Sequence, residues 1–264
     1  MIDTATVPRR VNIFWTGGWD STFQLLQLLI VHKTNVTPFY LIDEDRLSTG
    51  AELLTMKRIK EQIFDQFPDT RKLLKPTQYF AVADIPINLD ITEAFKRIRK
   101  KSFIGGQYDW LARFCAANDV AKLQLCIHQD DKAHSVISNM VKSTGRNPFI
   151  ETEIGQNFIN LDEYKLFQYF TFPILNLTKR EMANITKAQG LNKVMSMTWF
   201  CHNPRKGMKP CGTCNPCLYT IEEGLGWRIP LSSRMRALFV RSIIRPLKRL
   251  CIWASRDRLP IQLA

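Results

Sequence analysis

The chain has 264 residues, 45% apolar and 23% charged, a globular composition that excludes wholesale disorder and a miniature disulfide scaffold. Its longest apolar runs, such as Leu25 to Val31 around Gln27, fall short of the roughly 20 residues of a spanning helix, and no leader-like stretch follows Asp3, so a cytoplasmic location is expected. Lys and Arg number 37 against 24 Asp and Glu, a net charge of +13, but residues 228–264 alone hold nine basic residues and one acid, Asp257. The body is therefore only mildly basic, and no stable nucleic-acid partner is expected of it.

Val11 to Trp15 is short and apolar, which predicts a buried strand. It runs into Thr16-Gly17-Gly18-Trp19-Asp20-Ser21-Thr22 and then an apolar helix ending near His32. A second strand is expected from Val36 to Asp43. Apolar residues at 53, 54, 56, 59, 63, 64 and 67 predict a helix over Ala51 to Phe67. A third strand (Tyr79–Ala83), a basic helix (Ile91–Lys101), a further helix (Asp109–Asn118) and a fourth strand (Leu123–His128) follow. This alternation predicts an α/β fold, a doubly wound parallel sheet. Beyond residue 150 the alternation fades. Thr178-Lys179-Arg180-Glu181 opens a helix with a Thr…Glu capping pair, and Gly190 closes it. The expected division is a catalytic domain over residues 1–227, with a knuckle at 198–217, and a basic helical tail over 228–264.

The segment from Thr16 to Thr22 carries the strongest chemical signal. Two glycines let the backbone turn tightly and approach a ligand. The amides of the following helical turn point outward with the positive end of the dipole behind them, and Thr16, Ser21 and Thr22 add hydroxyls, a set that suits a polyanion. No Gly-Lys-Ser/Thr follows, so this is not a Walker loop. The plainer alternative is a strand-to-helix turn in which Asp20 caps the helix.

Four of seven cysteines, Cys201, Cys211, Cys214 and Cys217, fall within 17 positions. Four thiolates close a tetrahedral zinc site, and Gly212 with Thr213 supplies the small residues of a tight metal turn. The Cys-x2-Cys-x2-Cys run is also compatible with an iron–sulfur cluster; structural zinc is the expectation. His202 beside the first ligand is read as a loop residue, and Cys115, Cys126 and Cys251 as core packing.

Thr16 to Thr22 resembles the PP-loop of the N-type ATP pyrophosphatases. Thr198-Trp199-Phe200-Cys201-His202-Asn203, Cys211-Gly212-Thr213-Cys214-Asn215-Pro216-Cys217 and Pro173 to Met182 are similar to the corresponding parts of 7-cyano-7-deazaguanine synthases. The resemblance implies an adenine nucleotide alpha-hydrolase-like fold and an ATP-dependent ligase of queuosine-type deazapurine biosynthesis. Such an enzyme adenylates a small-molecule carboxylate, releases pyrophosphate, and forms a C–N bond with ammonia or an amine. Carried over, Thr16, Gly17, Gly18, Trp19, Asp20, Ser21 and Thr22 would hold the phosphates of ATP, Asp20 would help position Mg2+, and Lys179 would neutralise charge at the α-phosphate. Asp43, ending the second strand, is a further nucleotide contact. A homodimer is expected.

The substrate half departs from that pattern. The family's Pro-Gly-Arg-Asn stretch is here Gly105-Gly106-Gln107-Tyr108, without the guanidinium, and Asp43-Glu44-Asp45-Arg46 differs from the family's second-strand exit. Ile127-His128-Gln129-Asp130-Asp131-Lys132 stands where the family has its Asp-Cys-Arg string. His128, Asp130 and Asp131 are thus candidates for substrate or metal contact, or the two acids simply cap a helix. ATP chemistry with an altered acceptor is the expectation. The rivals are a PP-loop tRNA-thiolating enzyme and a nucleotide-binding accessory protein without catalysis. From Ser233 to Trp253 apolar and basic residues alternate at near-helical spacing, so the tail is expected to pack on its own domain, or to sit on an anionic membrane, bind RNA or dock on a protein.

Overall fold

The computed structural model describes residues 10–144, 151–239 and 242. The chain forms two compact units, Met1–Trp199 and Phe200–Ala264.

In the first unit, β1 (Arg10–Phe14) leads into helix α1 (Trp19–Leu26), which runs on as a wider turn over Gln27–Val31. Then come β2 (Asn35–Ile42), α2 (Thr49–Gln66), β3 (Gln78–Ala81), α3 (Leu89–Lys101), α4 (Gln107–Ala117) and β4 (Leu123–Gln124). After the short α5 (His134–Ile137), strands β5 (Val141–Thr144) and β6 (Glu151–Ile154) pair antiparallel as a separate ribbon. The unit continues with α6 (Asp162–Phe167), β7 (Phe170–Thr171), α7 (Lys179–Ala188) and α8 (Asn192–Ser196).

The main sheet has five strands in the order β3-β2-β1-β4-β7, every pair parallel. The expected parallel α/β architecture is therefore present. From β1 the chain winds outward to β2 and β3 on one side, then returns to β4 and β7 on the other. The reversal leaves a crevice outside the carboxyl ends of β1 and β4, where open parallel sheets hold ligands. A buried aromatic cluster holds this centre: Phe14 lies 6.1 Å from Phe114 and 6.2 Å from Phe170, and Phe80 meets Phe114 at 4.7 Å. On the surface Arg97 of α3 grips Asp162 of α6 with two hydrogen bonds of 2.8 and 2.6 Å.

Two differences from expectation concern β4 and β7. β4 stops at Gln124 instead of reaching His128, because the Ile127 amide turns back to the Leu125 carbonyl (2.9 Å). That tight turn swings His128 out of the ladder. β7 has only two residues, flanked by Tyr169 and by Phe172-Pro173, too short to display a strand period.

The second unit holds a loop bridged at Arg205 and Lys209, then α9 (Asn215–Glu222), a single turn at Gly226–Arg228, and α10 (Leu231–Phe239). Ser233 of α10 is buried and its Oγ donates to the Pro210 carbonyl (2.8 Å). The knuckle and the start of the tail thus pack together, whereas the sequence division at residue 227 assigned them to different parts. The rest of the expected tail helix, including Pro246, lies outside the described residues. Among the described residues no helix is long and apolar enough to cross a membrane.

Candidate functional site

The turn after β1 is built from both faces. Trp15 is buried and its indole N–H donates to Thr22 Oγ1 (3.0 Å), locking strand to helix. Gly17 has φ +69°, and a Cβ there would stand 3.2 Å from Thr55 Cγ2 and Met56 Cγ of α2. Its carbonyl accepts from the Trp199 amide (2.9 Å). The positive φ favours glycine, and α2 approaches closely enough that any side chain there would have to displace Thr55 and Met56. Thr16 Oγ1 accepts from the Gly18 amide (3.4 Å), and Ser21 Oγ accepts from the Thr16 amide (3.5 Å).

Gly18 is the N-cap of α1, and no side chain caps that end. The alternative in which Asp20 caps the helix does not hold; Asp20 sits inside the first turn. The positive end of α1 is left for another acceptor. Of the three hydroxyls expected to face a ligand, Thr22 is buried and its oxygen takes the Trp15 indole N–H. Trp19 is buried as well. Thr16 is exposed at the mouth, with Ser21 just beneath it.

Three segments distant in sequence meet at Asp20. Its Oδ1 lies 3.8 Å from His128 Nε2 and its Oδ2 lies 3.9 Å from Lys179 Nζ. His128 is 3% exposed, and its Nδ1 accepts the Asp130 backbone amide (3.1 Å). That bond leaves the ring proton on Nε2, facing Asp20. Asp130 Oδ2 in turn accepts the Lys179 backbone amide (3.1 Å). The capping pair is a full capping box: Glu181 Oε2 accepts the Thr178 amide and hydroxyl (2.8 Å each), and Thr178 Oγ1 accepts the Glu181 amide (3.2 Å). These donors hold the Glu181 carboxyl below its ordinary range. Lys179 is therefore the first residue of a firmly started helix.

Asp20 Oδ1 is buried without a hydrogen-bond partner. Such an atom costs on the order of 1–3 kcal/mol, and more when charged. The carboxylate fits a cation or a cation-bearing ligand at that position. The two acids after β4 divide their roles. Asp130 joins the cluster, while Asp131 Oδ1 accepts the Ala133 amide (2.8 Å) and starts the turn into α5. Burial, with the charges of Asp131 and Asp20 adding to it, pushes the Tyr108 hydroxyl well above its usual range. The hydroxyl stays protonated. Burial likewise raises the Cys126 thiol well above normal and Cys115 to about 12.

Asp43, just past β2, accepts the Thr49 hydroxyl on its carbonyl (2.6 Å), while Arg46 lies 3.7 Å from its carboxylate. The sequence reading missed what lies behind it. Glu52 is buried and accepts Ser48 Oγ (2.6 Å) and Tyr40 OH (3.0 Å), with Arg46 at 3.7 Å. The Ser48…Glu52 spacing of one helical turn was the available signal.

In the second unit the sulfurs of Cys201, Cys211, Cys214 and Cys217 lie within 4.8 Å of one another. Three pairs stand at 3.4, 3.9 and 3.9 Å, against about 3.8 Å for four thiolates around one zinc at roughly 2.3 Å. In a four-iron cube each thiolate binds a different iron, so the sulfurs stand farther apart. Backbone amides already point at them: Cys211 to Cys201 Sγ (3.1 Å), Gly212 to Cys217 Sγ (3.4 Å), and Thr213 and Cys214 to Cys211 Sγ (3.3 Å each). These donors favour thiolate and suit a single thiophilic cation.

The family model described as "QueC: Queuosine biosynthesis protein QueC" matches residues 146–224. The match spans the capping-box helix and all four cysteines, and it bears out the resemblance read from those motifs. The loop at Thr16 to Thr22 lies outside it. A search of curated proteins gives no match. A solved structure, the U34-tRNA thiolase NcsA from Methanococcus maripaludis with its [4Fe-4S] cluster, is similar at 14% identity and a TM-score of 0.38. The alignment covers 96% of this chain and 74% of that one. At this distance the likeness says nothing about reaction or ligand.

Proposed function

We propose that this chain is an ATP-dependent ligase that adenylates a small-molecule carboxylate and then forms a C–N bond, with ammonia or an amine as the nitrogen donor. The observation that carries the reading is Asp20. It stands beside an uncapped helix N-terminus at the sheet's reversal point, flanked by Lys179 and His128, with one carboxylate oxygen buried and lacking a hydrogen bond. The N-terminus of α1, with Thr16 and Ser21, would receive the pyrophosphate portion of ATP. Thr22 and Trp19 serve as anchors of that turn. Asp43 borders the same end of the sheet on the β2 side.

Mg2+, held with the help of Asp20, would supply charge neutralisation on the phosphates. The substrate carboxylate oxygen attacks the α-phosphorus, the bond to the bridging oxygen breaks, and pyrophosphate leaves with its electron pair. Lys179 compensates the charge that gathers there. Ammonia then attacks the acyl carbon and AMP departs. Activation of the resulting amide by a second ATP would carry the product on to a nitrile, as the resemblance implies.

The cysteine centre, read as structural zinc, has no open coordination position and therefore a folding role. Sulfur delivery to a tRNA base is the second reading. Against it, Cys115 and Cys126 are both held as neutral thiols, which are poor nucleophiles. The test is carboxylate-dependent ATP–pyrophosphate exchange, abolished in Asp20→Ala. Exchange with no carboxylate but with an unmodified tRNA would favour thiolation. ATP binding without exchange against any acceptor would favour an accessory protein.

A further inference from the structure

Helix α10 is packed the wrong way round for a helix that serves only its own unit. Its small residues face inward: Ser233 is 3% exposed and Ala237 1%, and a Cβ on Gly212 of the knuckle would collide with the Ser233 carbonyl. Its large apolar residues face outward. Leu231, Met235 and Leu238, with Trp227 one turn earlier, are between 57% and 69% exposed. At 100° per residue Leu231, Met235 and Leu238 fall on one narrow stripe, opposite Ser233 and Ala237. The inward face is thus settled by the knuckle and cannot rotate to bury the stripe.

In sequence, the segment that follows Trp227 is cationic. From Arg228 to Arg256 the chain has eight basic residues and no acidic one. Arg236 is exposed on α10 itself, while Arg228 lies over the Phe200 ring (4.7 Å). An apolar stripe of Leu and Met, with an exposed Trp just before it and a cationic segment running on from it, is the pattern that inserts shallowly at an anionic lipid surface. RNA would meet the cations but has no use for Leu231 and Leu238. A second copy would bring the same positive charges against themselves. We propose that α10 is a docking face for an anionic membrane surface, with Trp227, Leu231, Met235 and Leu238 entering the headgroup boundary and the basic residues holding the lipid charge. This goes beyond the ligase reading and does not depend on it.

The experiment is co-sedimentation of the full chain with phosphatidylcholine vesicles, with and without phosphatidylserine, at low and high salt. The expected result is binding only when phosphatidylserine is present, weakened by salt. In Leu231→Asp/Leu238→Asp binding should fall by about tenfold or more. Both positions are exposed, so its thermal melt and metal content should match the parent chain. Arg236→Glu/Arg241→Glu should weaken binding at low salt and reduce the salt dependence. Equal binding to vesicles of phosphatidylcholine alone overturns the proposal. So does absence of vesicle binding, whether the aspartate pair then breaks a dimer seen by light scattering, abolishes retention on RNA, or changes neither. Vesicle binding that survives the aspartate pair also overturns it.

Discussion

The two polar centres of this molecule are finished to different degrees. Around the cysteines, backbone amides already point at the sulfurs, so one ion completes the arrangement. At the turn after β1 the helix start has no side-chain cap, Asp20 Oδ1 lacks a hydrogen bond, and His128 and Lys179 stand at 3.8 and 3.9 Å, too far for direct hydrogen bonds. A centre that holds structure satisfies its polar groups within the fold. One that acts on a ligand leaves them for the ligand to satisfy.

That contrast is sharpest under removal of one key side chain from each. Cys217→Ser should reduce bound metal by more than about tenfold, and the unfolding transition of residues 200–239 should broaden or vanish. Metal analysis with a thermal melt checks both. Asp20→Ala should do the reverse: exchange falls by about 10²- to 10³-fold, while the melting temperature holds or rises slightly, because a buried carboxylate oxygen without a hydrogen bond is gone. If Asp20→Ala instead unfolds the first unit, Asp20 is a structural residue and the ligase reading loses its main support.

The glycines give a finer comparison. Gly212 has φ +83°, and its new Cβ would collide with the Ser233 carbonyl oxygen, a backbone atom. Gly212→Ala should cost roughly 3 kcal/mol or more, with metal affinity falling alongside. Gly17 also has positive φ, but its neighbours are side-chain carbons at 3.2 Å that can yield. Gly17→Ala should cost about 1–2 kcal/mol, yet impair exchange by more than that loss of stability explains. Denaturant melts and exchange rates on the same samples separate the two effects.

What the sequence revealed follows from how local each feature is. Thr16 to Thr22, the Thr178…Glu181 box and the cysteine run are contiguous signals, and each forms where its spacing puts it. The parallel order of β1 to β3 also follows from alternating periods. β4 and β7 have two residues each and carry no period, so the sheet's far edge was not readable. Asp20, His128 and Lys179 come from three separate segments. Only the fold decides that Asp130 anchors this cluster while Asp131 starts α5. Glu52 was hidden because a buried acid in α2 reads, in sequence, as one more charge on a solvated face.

The smallest effect tests how firmly Lys179 is presented. Glu181 accepts the Thr178 amide and hydroxyl, and these bonds hold its carboxyl below the usual 4.5. A depressed carboxyl contributes stability that is present above the unfolded value and is lost as pH falls through the folded one. Glu181→Ala should therefore melt slightly below the parent chain at neutral pH, by less than either glycine variant. The gap should close as the medium is acidified below about pH 4. Exchange should drop far less than in Asp20→Ala, since Thr178 Oγ1 still accepts the amide at position 181 and Asp130 still holds the Lys179 amide. A loss of exchange as large as that of Asp20→Ala, with the melt unchanged, would mean that Glu181 acts on the ligand itself and is not confined to the cap.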